Sequence, residues 1–454
     1  MNKKKMNRRR FIGNTAAASV AGVLAGSFPV LAQTKNSGTL AALGGAPVRD
    51  KRPWPAWPYT DEELVQSMTE TAKSGWWSRI DNRNSSKVAR FEREFAPFHD
   101  IKYVVATGSG TQAISTAVHA LNIECGDEVI TSPYTDMGTI SGVITSRALP
   151  VLADLDPDSF QLDAKDVEKK INNNTRALLP VHMMGAPADI RAFVQMARQH
   201  KLLLIEDACQ AHLAKIDGKR IGTFGDVGCL SFQSSKVMAS GEGGACLTDN
   251  EALADTLYTV MNHGSDKRGT HPRIGPKYRM NEFAASLLLS QMRTHLQRHE
   301  TRNRNGKYLT EKLKGYSGVA PQKLYPGTEE CSYYLYAMAF RPEEWKGASR
   351  AQFIKAVQAE GIPIGPYIQS GLHKYDWVNF ICGLEVYKKM YGEKRLKEYK
   401  EQTKHLPACD AVADRMLLIP GSGPLTADQS SMDNIINALA KVWEHRDQLK
   451  SIKV

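Results

Sequence analysis

The sequence predicts an α/β protein, a mostly parallel central sheet covered by helices on both faces, followed by a smaller C-terminal α+β domain. Three observations lead there. From about residue 102, short runs rich in Val, Ile and Leu alternate with amphipathic helical stretches, the pattern of βαβ units. Glycine-rich turns stand where a strand gives way to a helix, as in "ATGSGTQA". The 454 residues are 42% hydrophobic and 24% charged, enough apolar material for a sizeable core in two domains.

Residues 1–32 read as a targeting segment. They carry Lys3, Lys4, Lys5, Arg8, Arg9 and Arg10 with no acid, then a modest Ala/Gly/Val run and the small-residue site "VLA" ahead of Gln33. Within them "RRRFI" resembles a twin-arginine export signal, with Arg8 and Arg9 as the pair, and implies periplasmic delivery of a folded protein. The apolar run is too short and too weakly hydrophobic for a stable membrane anchor. The formal charge of +11 is concentrated there: the remaining chain holds 53 bases against 48 acids, a net of +5, too mild to argue for a nucleic-acid partner. Seven scattered cysteines lack any CxxC or Cys/His spacing, so neither a disulfide framework nor a metal site is expected.

Residues 33–60 form an arm rich in Pro and Trp, "RPWPAWPY", and Thr60-Asp61-Glu62-Glu63 opens a helix to about Ser74 as a capping box. A large domain over 61–298 follows. Its strands are expected at "KYVVATG", "EVITS", "LPVLADL", "RALLPVH", "LLLIED", "VGCLSF" and "GACLT", and helices at "GTQAISTAVHAL", "ADIRAFVQMARQH" and "EALADTLYTVMNHG". Asp217-Gly218 closes a hairpin in "IDGKRIG". A long helix starts near Asn281 and runs into the basic segment "RHETRNRNGKYLTEKLKG", read as a solvated face. Residues 299–454 then supply that connecting helix and the small domain, with a strand at "YLYAMAF", a helix at "SRAQFIKAVQAEG" and a final amphipathic helix.

Three features of the expected sheet edge bear on chemistry. Gly108, Gly110 and Thr111 stand at a strand-to-helix turn, where free amides and the helix dipole favour phosphate, although most such turns serve packing alone. Asp207 ends an apolar strand and suits either a cationic ring nitrogen or a helix N-cap. Lys236 follows the strand ending at Ser231 and precedes "GEGG"; by its own neighbours it is a solvated charge as readily as a covalent anchor. Together, phosphate site, carboxylate and amine match what pyridoxal 5'-phosphate presents: a phosphate, a protonatable pyridine nitrogen and an aldehyde that forms a Schiff base with lysine.

The motifs "GSGTQA", "GDEVITSPYT", "PVHMMGAPADI", "IEDACQAH", "GTFGDVGCLSFQSSKVMASGEGGA" and "KYRMNEFAASLLLSQM", in that order, closely resemble the DegT/DnrJ/StrS family of sugar and cyclitol aminotransferases, of the fold-type-I architecture. The resemblance implies Lys236 as the catalytic Schiff-base lysine and proton carrier, Asp207 on the pyridine nitrogen, Gln210 beside it, and Gly110, Thr111 and Ser231 on the phosphate. It also implies a homodimer with the active site at its interface, an amino donor such as glutamate or glutamine, and a keto-sugar or keto-cyclitol acceptor. Because the lysine is kept where some relatives carry histidine, transamination is preferred to a dehydratase or lyase reaction or a degenerate binding role. Two positions depart from the family pattern. Asp136 stands where many relatives have an aromatic that stacks on the cofactor, and Lys277 replaces the asparagine of "NYRM" that reaches the neighbouring subunit's phosphate. Weaker candidates are Trp76-Trp77 as pocket-shaping residues or filler, His182 as a core histidine, His373 as a substrate-side residue, and the loop "HGSDKRGTHPRIG" as an anion clamp or plain surface.

Overall fold

A computed structural model describes residues 38–81 and 85–454; the export signal read from residues 1–32 lies outside them. All seven expected large-domain strands form: β1 (Tyr103–Thr107), β2 (Glu128–Thr131), β3 (Leu149–Leu152), β4 (Thr175–Leu179), β5 (Leu203–Asp207), β6 (Val227–Ser231) and β7 (Gly244–Thr248). Their order is β1-β7-β6-β5-β4-β2-β3, with β7 antiparallel to both neighbours and every other pairing parallel. Alternate residues of each strand enter different apolar cores. Val104, Ile130, Leu178, Leu204 and Leu230 face one, and Val105, Val129, Ala177, Ile205 and Cys229 face the other. A strand apolar on both faces reads as an unbroken run, which is why these seven were legible.

The helices obey their caps. In α1 (Glu62–Ser74) the cap is Asp61, whose carboxylate accepts from Leu64 N at 2.8 Å; the expected box opening at Thr60 is displaced by one residue. Helix α2 (Lys87–Phe98) is capped by Ser86, α3 (Gly110–Ala120) by Ser109 and α4 (Met137–Ile144) by Asp136. Helices α5 (Ile190–His200) and α6 (Glu251–Met261) fall where expected. The Asp217-Gly218 hairpin has both turn residues at positive φ, 50° and 76°, as a two-residue turn between twisted strands requires.

Helix α7 (Glu282–Lys312) is capped by Asn281 and, at 31 residues, spans about 46 Å. Its basic C-terminal half is solvated on one face only: Glu300, Arg304, Lys307 and Glu311 are exposed, whereas His299, Arg302, Asn303, Asn305 and Leu309 are buried, because the helix is wedged between the two domains. The small domain is an antiparallel sheet of β8 (Val319–Pro321), β9 (Leu335–Phe340) and β10 (Met416–Pro420), packed on α8 (Arg350–Ala359) and α10 (Gln429–Glu444).

Two assignments of chain to domain change. The arm belongs to the small domain: Leu40 is fully buried in its core, and Ala41 N and Val48 N donate to Glu360. Helix α9 (Glu385–Lys404), expected within the small domain, packs on the large sheet, where Tyr387 and Tyr399 donate to the carbonyls of Ala148 and Pro150 and Arg395 clasps the buried Glu128. All seven cysteines are free thiols. Among the described residues no helix is long and apolar enough to cross a membrane, and no group of three ligating side chains could hold a metal.

Candidate active site

The carboxyl ends of β1, β5 and β6 share one edge of the sheet, and a cleft of about 550 Å³ opens over it. Ligands of open α/β sheets bind at such an edge. Its wall includes Gly110, Thr111, Asp136, Asp207, Gln210, Ser231 and Lys236, seven of the eight residues singled out from the sequence.

Helix α3 begins at the cleft. Ser109 caps it by accepting from Gln112 N, and the amides of Gly110 and Thr111 head the helix without an intrahelical acceptor. Gly110 is required by close approach: a Cβ there would lie 2.7 Å from Ser231 Cβ and 2.9 Å from Cys209 Sγ. Gly244, paired with Ser231 across the β6–β7 ladder, is equally constrained, since a Cβ would meet Ser109 O at 2.3 Å. Two glycines thus let the helix N-terminus sit directly against the end of β6, with the Ser231 hydroxyl beside it. Amides, a hydroxyl and the positive end of a helix dipole converge there, a built anion cradle.

Asp207 is nearly inaccessible and firmly oriented. Its Oδ2 accepts from Thr139 Oγ1 at 2.7 Å, its Oδ1 from Cys209 N at 3.2 Å, and Thr139 in turn exchanges a 2.9 Å hydrogen bond with Thr135. It is therefore no helix N-cap but a carboxylate held by α4 and by its own turn. Gln210 accepts from Met184 N at 2.8 Å and donates to the Tyr367 hydroxyl at 3.3 Å. The Tyr367 phenol is kept neutral: burial raises its pKa, and the nearby Tyr334 and Asp136 push the same way.

Lys236 is half-buried in the cleft wall, with Nζ 4.4 Å from the centre of the Tyr334 ring. No hydrogen bond or ion pair among the described residues engages that amine, so it is not a structural charge. Tyr334 is fixed by a 2.9 Å hydrogen bond between its hydroxyl and Ser235 Oγ. Asp136 is exposed at the rim, where its Oδ1 caps α4 by accepting from Gly138 N at 2.7 Å. The departure from an aromatic thus has a local reason, the helix start. Tyr367 and Tyr334, both from the small domain, are the aromatic rings lining the cleft.

The remaining candidates separate from this centre. Lys277 is exposed and bridges Asn262 away from its own chain's cleft. Trp76 and Trp77 are exposed, neither core nor cleft lining. His182 is a core histidine as read: fully buried, it accepts from Ala188 N and lies 3.2 Å from Glu206. Burial opposes ionisation of Glu206, but His182 and the amides of Gly225 and Gly222 outweigh it and hold the carboxyl below its usual range. His373 is not among the residues lining the cleft and pairs with Asp410 at 3.0 Å. The loop 263–275 is a surface segment containing the Lys267–Asp255 and Arg268–Asp266 pairs. Sequence reading missed Thr139, Tyr334 and Tyr367. The first had only its place in the "TDMGT" turn as a signal, and the tyrosines come from loop positions roughly 100 residues or more from Lys236 with no local mark.

The family model described as the DegT/DnrJ/EryC1/StrS aminotransferase family matches residues 58–440. L-glutamine:2-deoxy-scyllo-inosose aminotransferase of Streptoalloteichus tenebrarius is 32% identical over 428 residues, covering 91% of this chain and 99% of the relative. The enzyme of the same name from Streptomyces kanamyceticus is 33% identical, with 90% and 98% covered. Among solved structures, 3-amino-5-hydroxybenzoic acid synthase superposes with a TM-score of 0.73 at 25% identity over 86% of this chain and 99% of that one. An aminotransferase from Psychrobacter cryohalolentis shares the fold with a TM-score of 0.75 at 24% identity, over 86% and 99%.

Proposed function

The chain belongs to the DegT/DnrJ/EryC1/StrS aminotransferase family, and on that premise we propose that it moves an amino group from glutamine or glutamate to the ketone of a cyclitol such as an inosose, or of a related sugar, with pyridoxal 5'-phosphate in the Lys236 cleft. The observation that carries the reading is the meeting of an anion cradle, a buried oriented carboxylate and an unpaired lysine amine in one cleft. The names of the relatives at 32–33% identity support the cyclitol acceptor and the glutamine donor.

The residues fit the cofactor. Gly110, Thr111 and Ser231 present phosphate donors in a space that any side chain at 110 would fill. Asp207 offers a desolvated carboxylate to a pyridinium, and Lys236 an amine with no hydrogen bond or ion pair among the described residues. When bound, the cofactor supplies an electron sink that lets a proton leave the carbon bearing the amino group. Asp207, held by Thr139, keeps positive charge on the ring side of the cleft. Lys236 would hold the cofactor and, when its amine is free, would take the proton from the donor's α-carbon and return one to the acceptor carbon that gains nitrogen. Its reach is limited by the Tyr334 ring, which keeps the amine over the cleft. Gln210 of the large domain and Tyr367 of the small domain meet at the cleft wall through a 3.3 Å hydrogen bond.

The test is product formation. Protein reconstituted with pyridoxal phosphate is incubated with a keto-inositol and either glutamine or glutamate, and amino-cyclitol is followed by mass spectrometry. Amination that requires both substrates is the expected result; dehydration of the ketone, or no half-reaction with any amino donor, overturns it. Lys236 is expected to carry the label after borohydride reduction, with loss of visible absorbance.

Two further parts of the proposal concern assembly and location. The exposed Trp76, Trp77, Ile80 and Ile274 support a homodimer, in which Lys277 would serve the partner's cleft. The "RRRFI" segment supports twin-arginine export to the periplasm, and Arg8→Lys/Arg9→Lys should retain precursor inside the cell; unaffected export would sink it.

A further inference from the structure

Helix α7 carries a stripe that ordinary packing does not explain. His295, His299 and Arg302 recur at i, i+4 and i+7, one face of the helix, and that face is turned inward. Arg302 is wholly inaccessible. Its Nε donates to Ser332 O at 3.0 Å, but Nη1 and Nη2 have no hydrogen-bond partner among the described residues. The Ser332 hydroxyl and both ring nitrogens of the equally buried His295 are likewise unpartnered. The charged neighbour bearing on Arg302 is another cation, Arg298, and the groups around His295 are Arg302, His212, His299 and Arg298. Glu330, the acid paired with His299, is shared between Arg220 at 2.6 Å and His299 at 2.9 Å.

A guanidinium stays charged in a protein interior, and a buried charge with neither counter-ion nor filled donors is strongly destabilising when its partner is missing. Several buried, unfilled polar groups beside net positive charge call for an acceptor that is itself negative. The guanidinium rules out a metal cation there. Arg302, Ser332 and His295 are all fully buried, a setting that suits a small acceptor. We propose that Arg302, with Ser332 and His295, holds a monovalent inorganic anion of the size of chloride between α7 and the floor of the active site. The floor is adjacent: Ser332 N donates to Gly185 O, and Gly185 abuts the carbonyl of Gln210. His212, which feels both Arg302 and Lys236, joins the two regions. The anion offsets the cationic cluster behind the catalytic lysine.

The experiment uses the holoenzyme with chloride exchanged for gluconate at constant ionic strength. The unfolding midpoint is expected to climb by about 2 °C per tenfold chloride once the site is being filled. Arg302→Met is expected to abolish that dependence, and Ser332→Ala to move it to higher chloride. Crystals grown in bromide should show an anomalous peak within hydrogen-bonding distance of Arg302 Nη1 or Nη2, a reading that needs no variant to fold. A chloride-independent midpoint with no anomalous peak overturns the proposal and leaves water as the occupant.

Discussion

Lys236 shows what a residue's neighbours in sequence leave open. Preceded by serines and followed by a glycine turn, it has the local look of a surface lysine; in space it lies over the Tyr334 ring and makes no ion pair among the described residues. Replacing it by alanine is expected to lower transamination by about 10²–10⁴-fold through loss of the proton carrier, measured as amino-cyclitol formed per active site. Thr139 is a positioning residue whose effect passes through Asp207. Thr139→Val removes a hydrogen bond to a charged acceptor, worth about 1.5–3 kcal/mol, and should weaken cofactor retention by roughly tenfold to a hundredfold. Equilibrium dialysis of pyridoxal phosphate checks this, and Thr139→Ser should restore most of the affinity. A purely structural role would instead lower the melting temperature without moving that affinity.

At the scale of elements, the cleft is made by helix starts and strand ends. The α3 N-terminus can approach β6 only because position 110 has no side chain. Gly110→Ala should cost about 1–3 kcal/mol by overpacking and should abolish cofactor binding, since Ser231 and Cys209 are forced away. Asp136 divides into two roles that substitutions separate. As the cap of α4 it contributes about 1 kcal/mol, lost in Asp136→Ala and kept in Asp136→Asn. If its charge also acts in the cleft, Asp136→Asn alters turnover while leaving the urea midpoint in place. The caps and the apolar strands were legible because each is written in a few consecutive residues. The inward face of α7 was not: its arginines and histidines look solvated until the small domain covers them.

For the whole molecule, buried imidazoles set the acid limit of stability. His99 is fully buried, and burial lowers its pKa from 6.5 to about 4; burial likewise lowers His212 and His295. A folded-state pKa below the unfolded value means that between pH 6.5 and 4 the unfolded chain binds the extra proton. Stability is therefore full above pH 6.5 and falls as pH drops toward 4, by about 1.4 kcal/mol per pH unit for each such histidine. His99→Leu should take one proton out of that slope, read from urea midpoints against pH. Assembly belongs to the same scale. Sedimentation is expected to show a dimer, and Ile274→Asp should shift it toward monomer; a monomeric wild type with full activity contradicts the shared site.

By itself the sequence determined the seven strands and their helices and the family resemblance, and it singled out eight candidate site residues, seven of which line one cleft. Those features are local patterns of apolarity, capping and turn chemistry, or motifs that carry their own spacing. Only the tertiary structure decided that α9 closes the large sheet, that the N-terminal arm completes the small core, that Thr139 orients Asp207, and that Tyr334 and Tyr367 line the cleft where the aromatic at position 136 is replaced. Each of these depends on which surfaces become covered when elements about 70 to 400 residues apart come together, and burial of that kind has no local signature in the chain.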